Sequence, residues 1–208
     1  LVRDIMEACE APGRTAALTV FSQLDAHELI PRFRYYAAYD KTPSTRRVAL
    51  DTLVKHLEQD AIPDCLQSLG DRSWVVRDAA MTHLDALGWE SDPDVLDAAD
   101  NAYREEWESV ADIGAPAIPV LLGVISDPAR DPLASRRRSA ATRILGQLKA
   151  TKALPALHKQ LYDLFPTVHV ASAEAIGLLG KAASAKPLPL ALDHPDVHVG
   201  RACAETLA

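Results

Sequence analysis

The sequence repeats itself at a spacing of 31 residues, and no other feature constrains its fold as strongly. Val168–Gly177 (VHVASAEAIG) lies without a gap on Val199–Ala208 (VGRACAETLA), with small, apolar and acidic positions coinciding. Stepping back 31 from Gly177 reaches Gly146, which closes RRSAATRILG, and stepping back 61 from Leu145 reaches Leu84 in VRDAAMTHLD. A further step of 31 brings Arg77 and Leu84 onto Arg46 and Leu53. A unit of roughly thirty residues is too small to bury its own apolar face, so copies must stack and share a core.

A second motif, Ile or Leu followed by Pro, recurs at Ile30-Pro31, Ile62-Pro63, Ile118-Pro119, Leu154-Pro155 and Leu188-Pro189. Proline suits the first turn of a helix, where its missing N–H costs nothing, so each marks the start of a first helix. Asp or Asn turn chemistry then leads into the Val-Arg-x-Ala-Ala element, whose alanines share one face of a second helix. Small residues at Ala79 and Ala80, Ala140 and Ala141, and Ala171 and Ser172 predict close helix approach, with Leu84, Leu145, Ile176 and Leu207 filling the seam. The pattern places helix pairs near residues 28–57, 61–88, 92–114, 116–148, 151–180 and 182–208, with a partial unit before residue 25. The stretch 92–114 lacks both motifs and reads as either a degenerate helix pair or one long helix. The fold expected is all-α, a right-handed α-α superhelix (α-solenoid) of about six helix pairs, forming a single domain over residues 1–208 with an irregular acidic unit near 90–114. The helical pattern is cut at Leu1 and Ala208, as a fragment of a longer chain would be.

A formal charge of −7 argues against a general nucleic-acid or anionic-membrane surface, since both reward clustered Lys and Arg. Cys9, Cys65 and Cys203 are far apart and have no C-x-x-C spacing, which suits neither zinc nor a disulfide framework. The expected setting is therefore the cytoplasm or another reducing compartment, a plastid stroma included. No apolar run approaches the roughly 20 residues that span a bilayer. No Gly-rich phosphate loop, G-x-S-x-G elbow or nucleophile with a base is present, so no catalytic residue and no cofactor are assigned. His194 and His198 with Asp193 and Asp196 do not make a metal site, because Pro195 puts His194 outside the helix.

AIPVLLGVISD, DRSWVVRDAAMTHL and ALPALHKQL resemble HEAT repeats of the PBS-lyase HEAT-like type, and the resemblance covers nearly the whole chain. It implies a binding scaffold whose second helices line a concave surface. The positions implied to face that surface are Arg46, Arg47, Asp78, Met81, Thr82, Asp85, Arg138, Thr142, Arg143, His169, Glu174, Arg201 and Glu205. The competing account of the same residues is a solvated face laced with ion pairs, each worth at most about 1 kcal/mol. Some members of the family are subunits of phycobilin lyases, and RYYAA at Arg34–Ala38 is similar to those subunits, although here it falls in a first helix.

Residues 90–112 hold nine acidic groups against one base, Arg104, and they include Tyr103 and Trp107, four apart and expected on one helical face. Such a pair among carboxylates would receive a basic or aromatic partner, or else serve as core. Arg136, Arg137, Arg138, Arg130 and Arg143 form a basic unit next to it, expected to pair internally. The function these features favour is a noncatalytic scaffold or adaptor that binds another protein, with neither nucleic acid nor membrane as partner. The alternatives are a bilin-lyase-type subunit holding a phycobilin chromophore and its phycobiliprotein acceptor, and a nucleic-acid binder of the DNA-alkylation-repeat kind, which the net charge disfavours.

Overall fold

The computed structural model describes residues 10–23, 27–180, 192 and 197–207, all helix, turn or loop. The Leu188-Pro189 motif, the Asp193–Asp196 stretch and the Leu207 side chain lie outside what is described. The chain divides between Asp92 and Pro93 into two compact units.

The first unit contains α1 (Ala11–Phe21), α2 (Ile30–Tyr39), α3 (Pro43–Leu57), α4 (Ile62–Ser68) and α5 (Trp74–Ala86). The second helices form a stack in which α1 packs on α3 and α3 on α5, while α2 and α4 pair with α3 and α5. Leu18, Ile30, Phe33, Ala37, Ala49 and Leu53 make one core cluster, closed over by Phe21, Tyr36, Val48 and Leu57. Burying each of the large side chains is worth about 1.5–3 kcal/mol.

The second unit contains α6 (Pro93–Arg104), α7 (Trp107–Ile113), α8 (Ile118–Ile125), α9 (Pro132–Gln147), α10 (Leu154–Gln160), α11 (Pro166–Leu179) and α12 (Val197–Leu207). Its second-helix stack runs α9, α11, α12, with α8 against α9 and α10 against α11. Leu121, Leu145, Leu157, Leu161 and Ile176 are fully buried. In both units, then, HEAT-like helix pairs are stacked in the α-solenoid manner.

Every described Ile/Leu-Pro start is preceded by a single 3-10 turn, at His27–Leu29, Glu58–Ala61, Ala115–Ala117 and Thr151–Ala153. The alanine ending the last three of these turns is fully buried. Proline also opens the second helices α3, α9 and α11. Among the described residues three helices end in a Schellman motif, whose 6→1 and 5→2 bonds satisfy the last carbonyls. In α5 the bonds are Trp89 N–H to Leu84 O (3.0 Å) and Gly88 N–H to Asp85 O (3.1 Å), with Gly88 at φ 69°. In α9 Lys149 occupies the left-handed position, at φ 51°, and in α6 it is Glu105, at φ 63°.

That last motif decides for a helix pair over one long helix at 92–114, since Glu105 stops α6 and α7 starts two residues later at Trp107. α6 buries Val95, Ala98 and Ala102 against α8 and α7 and turns Asp94, Asp97 and Asp100 outward. The expected alanine contact is also adjusted, because Ala141 is buried but Ala140 only half so. The helices also approach closely at Gly146, where a Cβ would stand 2.7 Å from Ala175 Cα and 2.8 Å from Ala175 Cβ.

Candidate functional site

The Val-Arg-x-Ala-Ala arginines lead away from the surface. Arg46 is 2% exposed and grips Asp71 with two bonds, Nε to Oδ2 at 2.6 Å and Nη2 to Oδ1 at 2.8 Å, while Nη1 donates to the Asp40 carbonyl at 2.8 Å. Arg14 Nε meets Asp40 Oδ2 at 2.8 Å, and Arg77 Nη1 donates to the Asp71 carbonyl at 2.8 Å. Each aspartate also caps its own loop: Asp40 Oδ1 accepts Thr42 N–H at 2.8 Å and Asp71 Oδ1 accepts Ser73 N–H at 2.7 Å.

The second unit repeats the wiring. Arg138 reaches Asp163 Oδ1 at 3.2 Å and the carbonyls of Ala129 (2.7 Å) and Asp127 (3.1 Å), and Asp163 Oδ1 accepts Phe165 N–H at 3.0 Å. His169 stands 31 residues after Arg138 and its Nε2 bonds the Asp163 carbonyl. Arg46 and Arg138 thus each tie the loop before their own helix to the loop of the following repeat, with charge-assisted bonds in a buried setting.

Four of the expected binding residues are therefore structural. Arg46, Arg138 and His169 are buried in this ladder, and Thr142 is buried with its hydroxyl donating to Gln160 Oε1 at 2.8 Å. Gln160 also accepts from Ser172 Oγ at 3.2 Å and donates to the Ile125 carbonyl at 3.2 Å, which joins three helices through one amide. The signal that would have exposed the ladder is present in the sequence, since Asp40, Asp71 and Asp163 stand six residues before Arg46, Arg77 and His169.

Tyr103 and Trp107 do not share a face, because the helix breaks between them. Tyr103 is exposed, whereas Trp107 lies under the Arg137 guanidinium, 5.9 Å from the ring centroid. Arg137 is itself buried, donates to the Ala102 carbonyl at 3.1 Å and stands 4.0 Å from Glu105. Part of the basic unit thus pairs with the acidic one.

The remaining residues stay accessible: Arg47, Asp78, Thr82 and Asp85 are exposed and Met81 half-buried in the first unit, and Arg143, Glu174, Arg201 and Glu205 are exposed in the second. The latter four line one shallow groove of about 380 Å³ with Pro166, Thr167, Val170 and His198. α11 lines it through residues one turn apart, Pro166, Val170 and Glu174, while Arg143 comes from α9 and Arg201 and Glu205 from α12. Arg143 meets Glu174 at 3.3 Å and Arg201 meets Glu205 at 2.7 Å, both pairs exposed and so worth little to stability. Arg143, Glu174 and Glu205 are equivalent positions in successive repeats, as are Val170 and Arg201. Among the described residues no cluster of His, Cys, Asp and Glu is arranged to hold a metal ion.

Stacked helix pairs, a buried Asp–Arg ladder and an exposed second-helix groove define a helical-repeat protein of HEAT-like construction. Residues 137–163, which include the ladder residues Arg138 and Asp163, match the family described as PBS lyase HEAT-like repeat. No curated protein matches the sequence at a significant level.

Proposed function

We propose that the chain is a noncatalytic scaffold that binds another protein through the face of its second helices. The observation that carries this reading is the groove over α11, where the apolar Pro166 and Val170 lie among four exposed charges, Arg143, Glu174, Arg201 and Glu205, contributed by three successive repeats. An apolar strip rimmed by polar groups is the usual anatomy of a protein-binding patch. The rim pairs Arg143–Glu174 and Arg201–Glu205 are exposed, so they exchange cheaply for pairs with a partner.

A photo-reactive phenylalanine at Val170 tests this. In an extract of the source cells it forms one discrete cross-linked product, and Glu174→Arg, which sets like charge against Arg143, suppresses it. The same product from a probe at the exposed Pro155, on a first helix, overturns the assignment. The family match supports a second reading, a subunit that holds a bilin chromophore with its phycobiliprotein acceptor. Incubation with a bilin and an acceptor subunit distinguishes the two, because only the second reading yields covalently coloured acceptor.

A further inference from the structure

The first unit carries an aromatic ring that its own fold does not use. Trp74 opens α5 and is 68% exposed, the most exposed aromatic ring among the described residues. Tryptophan, with tyrosine and arginine, is enriched at the hot spots where partners dock. Asp78 follows one turn later, so its carboxylate rises from the same side of the helix as the ring. Thr82 and Asp85 continue the exposed stripe. Among the described residues Asp78 and Asp85 form no ion pair and Trp74 no ring contact, whereas the neighbouring Asp51 is already engaged by Arg47 at 3.8 Å and His83 at 2.7 Å.

The second unit shows what completes such a pair. There an indole and a carboxylate, Trp107 and Glu105, share one guanidinium, that of Arg137. The ring face attracts a cation by its quadrupole and the carboxylate supplies the counter-charge, and guanidinium suits both because it is planar and weakly hydrated. Trp74 and Asp78 offer the same two groups to solvent. The field of the α5 N-terminus opposes a cation over the first turn, where Trp74 stands, and the Asp78 carboxylate at the start of the second turn supplies the negative charge that offsets it. Arg77, the nearest cation on the helix, turns its Nη1 to the Asp71 carbonyl.

We infer that Trp74 and Asp78 form a receptor for an arginine side chain presented by a basic segment of a protein partner. This rests on the second-helix face being the binding face, and it concerns the first unit, so it stands or fails separately from the groove over α11. Full-length protein labelled with 5-fluorotryptophan provides the test, with the Trp74 resonance assigned from Trp74→Phe. Titration with capped tetra-arginine shifts the Trp74 resonance saturably and more than those of Trp89 and Trp107, while capped tetra-glutamate leaves it in place. Asp78→Asn raises the half-saturating concentration about fivefold. Asp112→Asn, an equal change in net charge on α7, leaves it unaltered. The inference is overturned if the Trp74 resonance stays fixed, if Asp112→Asn weakens binding as much as Asp78→Asn, or if the resonance moves with protein concentration alone, which would make a second copy the occupant. A cross-link at Val170 without any Trp74 response would reject this site and leave the groove.

Discussion

Asp71 holds three things together: the turn into α5, the buried Arg46 of the preceding second helix, and, through its carbonyl, Arg77 of its own. Removing its carboxylate leaves Arg46 buried with the Asp40 carbonyl as its remaining partner in the ladder, and an uncompensated buried charge costs about 3–5 kcal/mol. Asp71→Ala should therefore lower the free energy of unfolding by that amount in denaturant titrations, and adding Arg46→Met should recover part of the loss, because the two residues act as a pair. Equal losses from the single and the double variant would show that the ladder is not what holds the loop. The sequence displayed Arg46 and Arg77 as a recurring column, yet a charged residue is assigned to solvent unless its partner is in view. The partner of Arg46 lies in the next repeat, 25 residues on.

Cys65 behaves in the opposite way, as a titratable group whose ionised form the fold rejects. Burial first, then the charges of Asp64 and Asp51, push its thiol up from 9.0 to about 12. The folded state therefore keeps a proton that the unfolded chain releases, so this contribution to stability is complete below about pH 9 and is lost as pH rises from there toward 12. Wild type should lose stability across that window faster than Cys65→Ala, by up to about 1.4 kcal/mol per pH unit. Parallel pH profiles would contradict it.

Among the elements, α9 and α11 show how small residues set helix spacing. The repeated alanines are legible as a stripe, and most of them are buried, but at Gly146 the approach to Ala175 leaves no room even for a methyl group. Gly146 had figured only as the end of a repeated motif. Gly146→Ala brings its methyl group within 2.8 Å of Ala175 Cβ and closer still to the Ala175 backbone, so the helices must part. The expected cost is about 1–3 kcal/mol, despite the gain in helix propensity, and thermal unfolding measures it. An unchanged melting temperature would mean that the two helices are farther apart than described. The break at Glu105 was not legible for a related reason. Glutamate favours helix interiors, and nothing local demands a left-handed residue there. Arg137 caps the Ala102 carbonyl and approaches Glu105, a tertiary contact from a residue more than thirty positions away.

For the whole molecule, the sequence by itself determined the repeat, the order of helices in each pair, the prolines that open them and the small-residue seams. These follow from local rules and from periodicity, which one-dimensional order preserves. The choice of the second-helix face came from the resemblance to HEAT-like repeats and not from the periodicity itself. Tertiary structure alone decided which members of that face are buried, which ion pairs remain exposed around the groove over α11, and that Trp74 is left uncovered beside Asp78. The reason is that burial of a charge or an indole depends on what the neighbouring repeat places against it. A residue's own repeat position fixes its direction, while its exposure is set by side chains that are distant in sequence.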